Sequence, residues 1–168
     1  PLIVPIITAT LLVFLNNNIK LQRIVSLITM IFVACISVVL LQLIQTEGIL
    51  RLDFSGWMPP FGILFVADSF SVLLVLTASI VTAVCLIYAF STIGERHEKM
   101  YFYPFVLFLI AGVNGSFLTG DIFNLFVCFE VMLLASYVLI ALGGGKMQLR
   151  ESIKYVLINV VASWMFLV

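Results

Sequence analysis

The stretch at residues 121–142, DIFNLFVCFEVMLLASYVLIAL, is an apolar run of membrane-spanning length with one carboxylate near its middle, Glu130. A helix rises about 1.5 Å per residue, which places Glu130 about 14 Å beyond Asp121 and near the centre of a hydrocarbon core about 30 Å thick. A carboxylate at that depth costs about 2.5 kcal/mol or more, and such groups usually face a bundle interior or a hydrated path. We therefore take Glu130 as a functional candidate.

A structural role is the alternative for Glu130. Burial disfavours the charged form of a carboxyl group, so a protonated Glu130 would donate a hydrogen bond to a neighbouring helix. The residues at helical spacing around it are all apolar, namely Phe126, Val127, Leu133 and Leu134. Any partner of Glu130 must therefore come from another helix.

The composition is that of an integral membrane protein, with 64 % hydrophobic residues, 10 % charged residues and a mean hydropathy of +1.29. The charges of eight basic and eight acidic residues cancel, so the composition indicates no basic surface for nucleic acid.

Cys35, Cys85 and Cys128 lie in separate apolar runs and are expected to be small membrane-buried side chains, with a functional thiol as the alternative. His97 lies among charged residues, where a surface role is expected. We expect no metal or other cofactor, because the residues offer no redox ligand set.

Six apolar runs predict an all-α fold, a polytopic transmembrane helical bundle. Its helices are expected at about residues 2–15, 24–44, 63–90, 101–118, 121–142 and 151–168. The chain starts without methionine and ends inside an apolar run, so we expect a piece of a longer protein, with no signal peptide. In the loop at residues 49–61, Pro59 and Pro60 exclude helix and Trp57 suits the membrane interface.

Short polar residues mark two helix starts. Asp68 and Ser69 are expected to cap the third helix, and Asp121 the fifth. The turn at residues 119–121 is very short, which predicts that the fourth and fifth helices are antiparallel neighbours.

The basic residues predict the topology. Seven fall in alternate links or just after them, and one, Arg51, falls on the other side. The seven are Lys20, Arg23, Arg96, Lys99, Lys146, Arg150 and Lys154. The positive-inside rule then predicts that links 16–23, 91–100 and 143–150 are cytoplasmic in a multi-pass membrane protein.

A polar stripe runs along the sixth predicted helix, where Tyr155, Asn159 and Ser163 follow one another at four-residue intervals. Packing hydrogen bonds and a hydrated path explain this stripe about equally well. Lys154 starts the same helix. It could assist at the cytoplasmic mouth of the Glu130 site, or snorkel to the interface and pair with Glu151.

Three strings in the chain resemble the antiporter-like subunits shared by Mrp-type multisubunit sodium/proton antiporters and respiratory complex I. They are GWMPPFGILFVADSFSVLLVL from residue 56, FLTGDIFNLFVCFEVMLLASYVLIAL from residue 117 and ESIKYVLINVVAS from residue 151. The string TGDIFNLFVCFEV is most similar to the D-type family of Mrp antiporter subunits, because it combines the turn, the helix start and the acid in one register. The first two helices match only in general character.

The resemblance implies a subunit of about fourteen transmembrane helices, of which these would be the first six, in two inverted halves with proton half-channels. In that pattern Glu130 matches the essential glutamate of the fifth helix, and Lys154 with Tyr155 matches the lysine–tyrosine pair of the sixth. The family pairs the glutamate with a lysine of a seventh helix, which lies beyond Val168. The implied partners are the other subunits of a hetero-oligomeric antiporter complex, the lipid bilayer, protons and sodium or potassium ions.

These observations predict a secondary transporter subunit and not an enzyme, with Glu130 and Lys154 in proton transport and Tyr155, Asn159 and Ser163 along a polar path. Two alternatives stay open. One is a proton-pumping subunit of a respiratory NADH:quinone oxidoreductase-type complex, and the other is a structural bundle that transports nothing. The string TGDIFNLFVCFEV favours the antiporter over the oxidoreductase.

Overall fold

The computed structural model describes residues 1–15, 18–53 and 63–167. The helices are α1 (Ile3–Phe14), α2 (Ile19–Glu47), α3 (Ser69–Thr92), α4 (Glu95–Glu98), α5 (Phe102–Leu118), α6 (Ile122–Ala141) and α7 (Lys146–Leu167). Two short strands, β1 (Leu50–Asp53) and β2 (Leu64–Ala67), lie between α2 and α3. The predicted helical bundle is confirmed. Trp57, Pro59 and Pro60 lie outside the described residues.

The helices differ in how well they suit a membrane. Among the described residues, α2, α3 and α6 are long and apolar enough to cross one, while α1 and α5 are shorter apolar helices. The first turns of α7 carry Lys146, Arg150, Glu151 and Lys154, so only its later part is apolar. Large apolar side chains cover the outside of the bundle, as expected for contact with lipid.

Two helices are longer than their apolar runs. α2 covers 19–47 where 24–44 was predicted, and α7 starts at Lys146 where 151 was predicted, which shortens the predicted 143–150 link. Lysine, arginine and glutamine are good helix formers, so charged residues mark the membrane boundary without ending the helix. With 29 residues, α2 is about 43 Å long and extends beyond a 30 Å hydrocarbon core.

The third helix starts later than predicted, at Ser69 and not near 63, because residues 64–67 form a strand. β2 pairs with β1 in antiparallel register, with Leu50 opposite Ala67. Asp68 then caps α3, as predicted: its carboxylate accepts a hydrogen bond from the Ser71 N–H at 2.7 Å, and the Ser71 hydroxyl accepts one from the Asp68 N–H at 3.1 Å. Hydrogen bonds from the side chain and backbone of Ser71 hold the pKa of Asp68 below its usual value.

α5 lies at the centre of the bundle, where it packs against α1, α3 and α6 and touches α2. The prediction that α5 and α6 are neighbours is confirmed, and two glycines let α6 approach α5 closely. A Cβ added to Gly112 would lie 2.7 Å from the Met132 nitrogen, and one added to Gly115 would lie 2.6 Å from the Cys128 Sγ. The α5–α6 contact is therefore backbone to backbone at Gly112 and backbone to side chain at Gly115, and it flanks Glu130 along α6.

The turn into α6 is stabilised by its first residue. The Asp121 carboxylate accepts hydrogen bonds from the Phe123 and Asn124 N–H groups at 3.3 and 3.2 Å, which confirms the predicted cap.

Of the three cysteines, Cys128 is buried between α5 and α6, whereas Cys35 and Cys85 lie on the outward surfaces of α2 and α3.

The links predicted to be cytoplasmic meet at one end of the bundle. Arg23, near the start of α2, forms an ion pair with Glu98 of α4 at 2.8 Å. A Cβ added to Gly143, after α6, would lie 3.2 Å from His97 Nε2, so that turn lies beside α4 as well. His97 is half-buried there, with Nδ1 3.3 Å from the Ile93 carbonyl.

The opposite end of the bundle holds the hairpin and the α5–α6 turn. The Gly120 N–H donates to the Leu64 carbonyl at 2.8 Å, and Phe65 forms an isolated bridge with Thr119. The links thus alternate between two ends, as a multi-pass chain requires. Which end faces the cytoplasm stays a prediction.

A buried ion pair anchors the end that holds α4. Glu98 is fully buried and accepts from Arg23 at 2.8, 2.9 and 3.2 Å and from the Tyr103 hydroxyl at 2.8 Å. The Arg23 guanidinium lies 5.7 Å from the centre of the Phe90 ring. These four side chains tie α2, α3, α4 and α5 together.

Candidate functional site

Glu130 is the ninth of the 20 residues of α6 and the only charged residue in that helix. Its side chain is half-buried. Among the described residues, no hydrogen bond or ion pair holds its carboxylate. Because the residues three and four positions from Glu130 are apolar, its nearest neighbours on α6 do not offset the energetic cost of this group.

Two ring contacts define how α7 packs against α6. Tyr137 and Tyr155 meet edge to face with ring centres 5.6 Å apart, and Phe126 and Phe166 stack with centres 6.3 Å apart. The second pair lies 11 residues earlier on α6 and 11 residues later on α7, so the two helices are antiparallel in one constant register. Glu130 is therefore level with Ala162.

That register places the three polar residues of α7 beside the Glu130 region. Ser163 comes level with Glu130 to within one residue, and Asn159 comes about one helical turn closer to the α4 end. Tyr155 lies a further turn on, against Tyr137. The stripe on α7 thus runs from the depth of Glu130 toward the end where the links meet.

Tyr137 is a site residue that the sequence analysis missed. It lies seven residues after Glu130, two turns along α6, so its ring and hydroxyl lie on the face of α6 that carries Glu130. The amide of Asn159 also lies within interaction range of that hydroxyl. Residues three and four positions from Glu130 are apolar, and extending the comparison to the i+7 position would have found Tyr137.

Asn159 has an unusual environment for an amide. Its Nδ2 atom is buried, and within the described part of the chain it has no hydrogen-bond partner. Buried polar atoms in proteins are nearly always hydrogen-bonded to protein or to water. A water molecule next to Tyr137 would satisfy this atom.

Lys154 lies outside this cluster. Its ammonium donates to both Glu151 oxygens at 2.8 and 3.0 Å, and both side chains are exposed. The register puts Lys154 level with Val138, about 12 Å from the depth of Glu130. The structure therefore forms the Glu151 pair, one of the two alternatives, and a helper role in transport stays a prediction.

The polar groups near Glu130 are ones that can donate and accept hydrogen bonds. They are one carboxylate, two phenols, one amide and one hydroxyl. No group of three potential metal-ligating side chains is found in the described ranges. A hydroxyl and a water each donate and accept a hydrogen bond, which is what proton transfer along a path needs.

An apolar helical bundle with long membrane-spanning helices, one of which carries a carboxylate on the face that packs against α7, defines a polytopic membrane protein. Comparison with known proteins makes this more specific. Over all 168 residues the chain is 52 % identical to the D-type subunit of a Na+/H+ antiporter from Alkalihalophilus pseudofirmus, of which it covers 34 %. The chain thus spans about a third of the length of the curated relatives it matches. No family model matches the chain.

Two solved structures are similar in fold. The membrane-bound sulfane sulfur reductase, an archaeal respiratory membrane complex, superimposes with a TM-score of 0.90 at 25 % identity over 99 % of this chain and 34 % of that one. The Mrp complex of Dietzia sp. superimposes with a TM-score of 0.85 at 31 % identity over 96 % of this chain and 31 % of that one. The resemblance to the D-type subunits of Mrp antiporters is confirmed, and so is a multi-pass protein of the bacterial plasma membrane.

Proposed function

We propose that this chain forms part of a proton- and cation-translocating membrane subunit of a sodium/proton antiporter, with Glu130 as the group that takes up and releases the proton. One observation carries the proposal: Glu130 is the only charge of α6, stands near the middle of that helix, and has no bonding partner among the described residues. A solitary intramembrane carboxylate is functional by default, because a structural acid would be hydrogen-bonded.

The chemistry follows from two opposing effects on the carboxyl group. Burial favours its protonated form, and a cation within about 4 to 6 Å favours its charged form. A positive side chain that approaches and recedes from Glu130 therefore switches it between releasing and binding a proton. This switch needs no cofactor, so the protein acts as a secondary transporter and not as an enzyme.

The partners of this chain follow from the same proposal. Relatives of this chain are named as subunits of antiporters, and the similar folds come from multisubunit membrane complexes. We accordingly place this chain among other membrane subunits, with protons and sodium or potassium ions as its substrates. Lys154 would assist proton transfer at the predicted cytoplasmic end.

A respiratory complex is the second candidate. The superposition with an archaeal respiratory membrane complex has the higher of the two TM-scores, 0.90 against 0.85. In such a complex the same glutamate would move protons with electron transfer elsewhere as the energy source. The higher identity, 31 % against 25 %, favours the antiporter.

The test is exchange of Glu130 in the complete antiporter complex. Glu130→Gln keeps the size and hydrogen-bonding capacity of the side chain but removes the titrating proton, so cation-dependent proton movement in everted vesicles should be abolished while native gels show normal assembly. Glu130→Ala should behave alike, and Glu130→Asp should retain part of the activity because it keeps the carboxyl group on a shorter arm.

Glu47→Gln is the matched control, because Glu47 is exposed at the end of α2 and outside the apolar core. It should exchange at the wild-type rate. An assembled Glu130→Gln complex that exchanges at nearly the wild-type rate would remove Glu130 from the proton path and leave a structural bundle as the function.

A further inference from the structure

We propose that Tyr137 and Asn159 hold a short water-filled proton route along the α6–α7 seam, between Glu130 and the end of the bundle where α4 lies. This inference rests on the proposed function of Glu130. It assigns a proton-carrying role to Tyr137 and a water-holding role to Asn159.

The depth of the residues supports this route. The constant α6–α7 register places Ser163 level with Glu130, Asn159 about one turn nearer the α4 end, and Tyr155 about one turn beyond that, against Tyr137. Polar groups therefore recur about every 6 Å over the distance that a proton must cover. The α6 face between Glu130 and Tyr137 offers only apolar side chains, Leu133 and Leu134, at the i+3 and i+4 positions.

The buried amide supports a water site next to Tyr137. Among the described residues, the buried Asn159 Nδ2 completes no hydrogen bond, although the Tyr137 hydroxyl lies within interaction range of the amide. A buried water needs two to four polar partners. The Asn159 amide and the Tyr137 hydroxyl supply two, and a second water toward Glu130 supplies a third. The partly exposed Tyr155, 38 % accessible, lies where this route reaches the outer part of the seam.

The transfer step is a relay without covalent change. The Tyr137 hydroxyl donates its proton to the water on the Glu130 side and accepts one from the water on the α4 side, so one proton advances and the phenol is restored. The water on the Glu130 side then passes a proton on to the Glu130 carboxylate. The Asn159 amide orients the water by donating to it and carries no proton itself. The substitution Tyr137→Phe would keep the ring contact with Tyr155 and break the relay.

The experiment uses the complete antiporter complex in everted vesicles, with exchange expressed per assembled complex on native gels. We expect Tyr137→Phe and Asn159→Leu each to lower cation-dependent proton movement about tenfold or more at unchanged assembly. The double variant should be little slower than either single variant, because both interrupt one route. Tyr88→Phe is the matched control, since Tyr88 is 69 % exposed on α3, and it should keep the wild-type rate.

Two results separate this inference from the function beneath it. If Tyr137→Phe exchanges within twofold of wild type while Glu130→Gln is inactive, the relay is wrong and Glu130 keeps its role. If Glu130→Gln is active, the proposed function itself fails. Should Tyr137→Phe not assemble, Asn159→Leu decides by the same criterion: a rate within twofold of wild type overturns the route, and a tenfold loss supports it.

Discussion

Two carboxylates show how the surroundings of a residue separate a structural acid from a functional one. Glu98 is fully buried, yet Arg23 and Tyr103 satisfy it with four hydrogen bonds of 2.8 to 3.2 Å. Glu130 is half-buried in the described bundle without any such bond. The first arrangement stabilises the fold, whereas the second leaves a carboxyl group that no described hydrogen bond or ion pair holds in one charge state.

Glu98→Gln should therefore lower the stability of the protein. The neutral amide cannot accept the hydrogen bonds from Arg23 and Tyr103 as well as a carboxylate does. It also leaves the positive charge of Arg23 without its negative partner. We expect a loss of about 2 kcal/mol, less than for a fully buried pair because the Arg23 side chain is 30 % exposed. Thermal unfolding of the detergent-purified complex measures this. Glu95→Gln, on an exposed neighbour in α4, is the control, and equal melting of the two variants would contradict a stabilising ion pair.

At the scale of helices, the α5–α6 contact positions Glu130. Gly112 and Gly115 lie against Cys128 and Met132, which flank Glu130 on α6. Since α5 is itself packed against three other helices, α6 is the element that must shift when this contact is changed.

Gly112→Ala should displace α6 and with it Glu130. The added Cβ would lie 2.7 Å from a backbone nitrogen and 2.8 Å from a backbone oxygen, so no side chain can move aside. Overpacking of this kind costs about 1 to 3 kcal/mol, and exchange per assembled complex should fall in parallel with thermal stability. Gly145→Ala is the control, because its nearest atom would be 3.9 Å away. A Gly112→Ala complex with wild-type exchange and melting would show that α6 tolerates the shift.

At the scale of the whole molecule, alternating links predict which residues face each side of the membrane. Arg23, Glu98, His97 and Gly143 meet at one end, and the hairpin with the α5–α6 turn lies at the other. The positive-inside rule assigns the first end to the cytoplasm.

Cysteine labelling tests this orientation. In a chain whose native cysteines are replaced by alanine, Asp53→Cys should react with a membrane-impermeant maleimide added to intact cells, because Asp53 is exposed at the outer end. Glu95→Cys, exposed at the α4 end, should react only after the cells are permeabilised. Labelling of position 95 and not of position 53 in intact cells would reverse the topology.

The amino-acid sequence by itself determined the membrane class, the succession of long helices and the caps Asp68 and Asp121. Each of these depends on hydropathy or on residues within one or two turns, and such local terms can be read along the chain. Helix ends were less predictable, because α2 continues past its apolar run through residues that favour helix in water.

Only the tertiary structure decided the hairpin, the Arg23–Glu98 pair across 75 residues, and the seam that brings Tyr137 to Tyr155 and Asn159. These contacts join residues far apart in sequence, and their formation depends on how whole helices pack. The sequence showed that α7 carries a polar stripe, but only the register against α6 determines which residues of α6 lie level with that stripe. The physical reason is that hydropathy depends on each residue and its near neighbours in the sequence, whereas a proton site requires side chains from several helices to converge at one point.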